Sequence, residues 1–158
     1  MTDFRRLLEA LTTNDVEFVV VGGVAVIAHG HVRLTEDLDI CYARTDENLE
    51  RLARALAPFK PTLRGAPRDL PFRLDARTLK AGLNFTLESD AGDIDLLGEL
   101  TGVGGYAEAN RDAIEIEAYG RKVRALSLTT LERSKRAAGR AKDLADLEAI
   151  REIKKHQP

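Results

Sequence analysis

The 158-residue chain has no tryptophan, a single cysteine and only 5% aromatic residues. Cys41 alone can form neither an internal disulfide nor a cysteine-based zinc site. Its three histidines show no helical HxxxH spacing, so any metal must be held by carboxylates. The shortage of aromatics argues against the stacking platforms of single-strand nucleic-acid binders. No apolar run approaches the ~20 residues of a membrane span, and the start MTDFRRLLEA lacks the apolar core of a secretory signal. The expectation is a cytoplasmic protein with no membrane partner. GxxxxGK[ST] is absent, as is GxGxxG after the first strand, which excludes a P-loop and a dinucleotide-binding Rossmann unit.

What is present suits one globular domain over residues 1–158, with 44% hydrophobic and 32% charged residues. The net charge of −2 is unevenly spread. Between residues 121 and 142, Arg121, Lys122, Arg124, Arg133, Lys135, Arg136, Arg140 and Lys142 stand against Glu132 alone. An acidic body with a basic flank is consistent with solvated helix faces, and equally with a protein that holds metal and polyphosphate.

Phe4, Leu7, Leu8 and Leu11 recur at helical spacing and predict an amphipathic first helix. VEFVVVG (16–22) reads as a buried strand ended by Gly22, and 23–29 as a short helix closing on Gly30. VRLTEDLDICYA then resumes strand character, and 46–57 form a helix that Pro58 stops. Residues 60–80 carry prolines without periodicity and are expected to be loop. LNFTLES and DIDLLGEL predict one hairpin across Asp90-Ala91-Gly92, and AIEIEA with RKVRAL a second about Tyr119-Gly120, after a short helix near 106–111. Thr129 with Glu132 fits a capping box that opens a helix to Ala138, and 142–155 form the last helix. The fold class is α+β, a small mixed sheet flanked by helices, with a sheet-based core over 1–126 and a C-terminal helical pair over 127–158.

On a strand, Asp37 and Asp39 point to one face while Leu38 and Ile40 point into the core. Asp93 and Asp95 repeat the pattern in GDIDLL. Two such pairs facing each other make an all-oxygen cage suited to Mg²⁺ or Mn²⁺. Hard divalent ions usually serve a substrate's phosphates, and Gly22-Gly23, between a buried strand and a helix start, let backbone approach a ligand and turn free N–H groups toward an anion. Arg33 and Thr35, just before the acidic pair, are further candidates for phosphate contact. Lys135, Arg140 and Lys142, where the last two helices meet, are candidates for phosphate or acceptor contact. Asp143 and Asp146 either organise those basic groups or favour the last helix's first turn. His29 and His31 read as loop or helix-end residues.

A strand ending in GG, a short helix, DLD on the next strand and a further aspartate on a later strand resemble the DNA polymerase β-type nucleotidyltransferase superfamily. LTTLERSKRAAGRAKDLADLEAI is similar to small stand-alone members, including those grouped with abortive-infection toxins. The resemblance implies a nucleotidyltransferase fold and transfer of a nucleoside monophosphate from an NTP such as ATP to an acceptor, with pyrophosphate leaving. It further implies that Asp37 and Asp39 hold the metals, that Asp95, in preference to Asp93, is the third carboxylate, and that Gly22 and Gly23 contact the triphosphate. The acceptor, whether tRNA, protein or small molecule, is left open. The rival readings are a catalytically silent toxin–antitoxin component that binds a partner protein, a nucleic-acid-binding module using the basic flank, and a metal-dependent phosphohydrolase.

Overall fold

Residues Phe18–Val21 are buried along their whole length and form β1, inside a seven-stranded mixed sheet. The computed structural model describes residues 1–31, 33–67 and 69–156. Before β1, α1 (Phe4–Thr13) is capped by Asp3, which accepts from the Arg6 N–H, and buries Leu7, Leu8 and Leu11 at the predicted spacing. After it, α2 (Gly22–Ala28) begins without any irregular residue, so the first glycine of the pair opens the helix as well as ending the strand.

β2 (Asp37–Tyr42) runs antiparallel to β1, with Asp39 opposite Val21. The expected strand from residue 32 is shorter than the sequence suggested: 33–36 carry no regular structure, and Val32 lies outside the described residues. Leu34, the apolar residue of that stretch, is 95% exposed, so no alternating buried face forms there. α3 (Asp46–Leu56) follows, capped by Thr45, and passes into a single 3-10 turn at Ala57–Phe59 that includes Pro58.

The segment 60–80 is not simply loop. It contains β3 (Thr62–Leu63) and α4 (Ala76–Ala81), the latter capped by Asp75 through the Thr78 N–H. A two-residue strand and a helix that buries only Leu79 carry too few apolar positions to show a period. β4 (Asn84–Ser89) and β5 (Gly92–Leu97) form the first hairpin, with Gly92 at φ +107. α5 (Tyr106–Asn110) leads to the second hairpin, β6 (Ile114–Ala118) and β7 (Arg121–Ala125), whose turn residues Tyr119 and Gly120 both have positive φ. That pair of angles matches the twist of the flanking strands.

α6 (Leu128–Ala138) starts two residues earlier than the Thr129–Glu132 box implied. Ser127 is the cap, accepting from the Thr130 N–H, while Glu132 turns outward to Arg136 and Lys154. Gly139 ends the helix in the left-handed region, and α7 (Ala141–Lys155) returns against it.

The sheet order is β3-β4-β5-β2-β1-β7-β6, with β2 parallel to β5 and β1 parallel to β7. One hydrophobic core joins β1 and β2 to α1, α3, α6 and α7. Among the described residues, no helix is long and apolar enough to cross a membrane.

Candidate active site

The parallel pairing of β2 with β5 sets Asp37 beside Asp93 and Asp39 beside Asp95. Alternation then sends all four carboxylates to one face, while Leu38, Ile40, Ile94 and Leu96 are fully buried on the other. The two acidic motifs of the sequence thus meet, but not as a symmetrical cage of four. Carboxylate oxygens of Asp37, Asp39 and Asp95 lie within 4.8 Å of one another. Asp93, one strand step further out and 38% exposed, faces Arg64, whose Nε is 3.4 Å from its Oδ2.

Asp39 is the most confined of the set. Burial, then the charges of Asp37 and Asp95, push its carboxyl up to about 8, with the Lys135 ammonium pulling the other way. Burial also raises Asp95, against the lowering effect of Arg64. Asp39 Oδ1 and Asp95 Oδ1 are buried and accept no well-aligned hydrogen bond, the latter having only the charge of Arg64 Nη2 at 2.9 Å. Unsatisfied acceptors that lie beside like charges are costly in a folded protein. A small divalent cation relieves both costs at once, and the donor set, all oxygen, suits Mg²⁺ or Mn²⁺.

Beside this cluster, the strand-to-helix turn comes very close. Gly22 has φ +65, and a Cβ there would fall 2.0 Å from Asp39 Oδ2. A Cβ on Gly23 would fall 2.6 Å from Thr35 Oγ1. The glycine pair therefore makes room first for the protein's own side chains, and through them for the placement of Asp39 and Thr35.

The opposite wall is built by the α6–α7 junction. Lys135 is buried, its Nζ 3.3 Å from Asp143 Oδ1 and 3.0 Å from Asp146 Oδ2. Asp146 also accepts two hydrogen bonds from Arg33 Nη1, at 2.8 and 2.7 Å, which tie the segment before β2 to α7. Arg140 Nε donates to Asp143 Oδ2 at 2.7 Å, and Asp143 is held below the usual carboxylate range by hydrogen bonds from Arg140 and by Lys135, despite its burial. Both readings of these acids hold: each pairs with a basic side chain named from the sequence, and Asp143, in the first turn of α7, also accepts the Arg140 backbone N–H at 3.1 Å.

A cavity of about 440 Å³ separates the two walls. Asp37, Asp39, Asp95, Gly22, Gly23, Arg33, Thr35, Lys135, Arg140 and Lys142 all line it. The residue that sequence reasoning missed is Arg64, which reaches the carboxylates from the segment expected to be loop. No local signal distinguishes it, because its position depends on β3 pairing with β4 at Leu63–Leu87.

No protein-family model matches the sequence, and no curated protein matches it by sequence. Solved structures do share the fold. The lincosamide antibiotic adenylyltransferase LnuA, lincomycin-bound, superposes with a TM-score of 0.64 at 16% identity, over 96% of this chain and 98% of its own. The antibiotic-resistance factor ANT(2'')-Ia matches at 0.57 and 17% identity, over 92% of this chain and 78% of its own. An antigenic nucleotidyltransferase-like protein from Paracoccidioides brasiliensis matches at 0.52 and 15% identity, over 96% of this chain and 75% of its own. The α+β chain has the nucleotidyltransferase fold that its GG and DLD motifs resemble.

Proposed function

On a nucleotidyltransferase fold, we propose that this chain transfers a nucleoside monophosphate from an NTP, with ATP the first donor to test, to a hydroxyl of a small-molecule acceptor. The observation that carries this reading is the Asp37–Asp39–Asp95 cluster, with Asp39 Oδ1 buried and lacking a partner, facing a basic wall across one cavity. About 440 Å³ is the size of a small-molecule site. The likeness to antibiotic-modifying enzymes supports a small hydroxylated acceptor ahead of a tRNA or a protein.

In this reading Asp37, Asp39 and Asp95 hold Mg²⁺ or Mn²⁺. Such ions, when bound, neutralise the charge that develops on attacking and leaving oxygens of an in-line displacement. The residues of the chain do the rest. Lys135, Arg140 and Lys142 take the negative charge of the β- and γ-phosphates, Lys135 being aimed by Asp143 and Asp146. Arg33 and Thr35 bound the same side, beside the Gly22–Gly23 backbone. The acceptor oxygen forms its bond to the α-phosphorus as the bond from that phosphorus to the β-bridging oxygen breaks, and pyrophosphate leaves. The acceptor proton passes to Asp95 or to solvent. Most of the acceleration then comes from positioning.

The test is incubation with each α-labelled NTP, Mg²⁺ or Mn²⁺, and in turn hydroxylated antibiotics, tRNA and a cell extract. The expected result is label on a small molecule with release of pyrophosphate. Labelled tRNA would move the acceptor to nucleic acid, and a labelled protein would favour a toxin-like role. Label that Asp37→Asn/Asp39→Asn transfers as fast as the wild type would remove these carboxylates from the chemistry.

A further inference from the structure

Arg64 places a fixed positive charge inside the acidic cluster. Its Nη2 is 2.9 Å from Asp95 Oδ1, its Nε 3.4 Å from Asp93 Oδ2 and its Nη1 3.9 Å from Asp37 Oδ2. The same Nη2 donates to the Leu87 carbonyl at 2.6 Å, and the Arg64 backbone N–H donates to the Thr86 carbonyl. Arg64 is thus anchored to β4, at the edge hairpin, and leans over β5 toward β2. It is not among the residues that line the cavity faced by Lys135 and Arg140.

Two features show that charge, more than hydrogen bonding, holds the contact. Arg64 Nε is buried with no acceptor, and Asp95 Oδ1 is buried with no donor that meets it in line. A guanidinium that completed a fork with a carboxylate would satisfy both. An ion pair without those bonds is one that a stronger cation displaces readily, because less is lost on separation.

We infer that Arg64 is a resident counter-cation of the cage: it neutralises the Asp95 side in the metal-free protein and competes with a divalent ion there, withdrawing toward Asp93 when Asp37, Asp39 and Asp95 close on the ion. This rests on the metal-cage reading above. Asp93 then has a role that a third-ligand assignment does not give it, as the carboxylate that receives the displaced guanidinium. The arrangement keeps four clustered carboxylates from repelling one another without a metal, and it makes occupancy sensitive to one side chain outside the ligand set.

The test uses Mn²⁺ alone as the probe, without nucleotide, on the full chain at low ionic strength. Arg64→Met keeps an unbranched apolar stem and removes the charge, and should tighten Mn²⁺ binding by roughly tenfold. Arg64→Lys keeps the charge and should stay within about threefold of the wild type. In the wild type, titration with Mg²⁺ should shift the Arg64 side-chain Nε–H resonance, assigned by its loss in Arg64→Lys, and speed its exchange with water. That measurement decides the matter even if Arg64→Met does not fold. Unchanged or weaker Mn²⁺ binding by folded Arg64→Met, or an Nε–H signal that saturating Mg²⁺ leaves in place, overturns the inference. If Asp37→Asn/Asp39→Asn abolishes Mn²⁺ binding in the same series, the cage stands and only the role of Arg64 falls. Mn²⁺ binding by that double variant as tight as by the wild type overturns the cage, and this inference with it.

Discussion

Asp39 is a carboxyl whose folded state favours the proton. With its pKa pushed up to about 8, the native metal-free protein keeps a proton there that the unfolded chain releases near pH ~4. Between those values the native state binds more protons than the unfolded one, so stability falls as pH rises, by at most about 1.4 kcal/mol per pH unit from this group. Asp39→Asn imitates the protonated form. In chelator, its advantage over the wild type should grow as pH rises from 5 to 8, by up to about 4 kcal/mol, as read by urea unfolding at both values. A difference between the two proteins that does not change with pH would show that Asp39 is not strained in this way. Gly22 carries the complementary constraint. Gly22→Ala forces a side chain into a backbone angle of +65° and onto Asp39 Oδ2, so it should cost roughly 1 to 3 kcal/mol and abolish Mn²⁺ binding together. Retention of full Mn²⁺ affinity would mean Asp39 can yield without loss to the cage. At this scale the sequence was legible in kind: paired glycines announced a close approach. They pointed to a ligand, whereas the β1–β2 register, with Val21 opposite Asp39, brings the protein's own carboxylate to that turn.

The elements show the same division between what a short stretch encodes and what pairing supplies. Helices with a full apolar stripe, α1 and α3, and both hairpins with their turn residues, stand where the pattern placed them. β3 and α4 went unread because a two-residue edge strand takes its structure from Glu88 and Leu87 across the ladder, and α4 buries a single leucine. The start of α6 was misplaced because two residues of capping type lie two apart. Ser127 does both jobs, accepting from the Thr130 N–H and donating to Asp112 Oδ2 at 2.7 Å, and it is this bond first that lowers the Asp112 carboxyl. Thr129 is exposed. Ser127→Ala should therefore cost about 1 kcal/mol in unfolding free energy, while Thr129→Ala stays within about 0.5. Equal effects at both positions would restore the later helix start. Because α6 carries Lys135, the cap also bears on how firmly the basic wall is held.

In the whole molecule, the division at residue 126 is one of chain order and not of packing. Leu128 and Leu131 of α6 and Ile150 of α7 belong to the same buried cluster as Val20, Leu38 and Ile40. The acidic and basic walls of the cavity are therefore mounted on one core, and Arg33 bridges them through Asp146. Two consequences should appear together in calorimetry. The metal-free protein should unfold in a single transition, reported alike by sheet and helix probes, since no part of the core can melt while the rest persists. Mg²⁺ with a nucleotide, at roughly 100 times its dissociation constant, should add about 2.7 kcal/mol and raise the midpoint by roughly 5 to 10 °C. The metal-dependent part of that rise should vanish in Asp37→Asn/Asp39→Asn. In the wild type the rise should shrink as salt increases, because Arg140 and Lys142 are exposed and screening weakens their attraction for phosphate. Two separate transitions would detach the helical pair from the sheet. A full rise in the double variant would place nucleotide binding on the basic wall alone, with the three aspartates outside it.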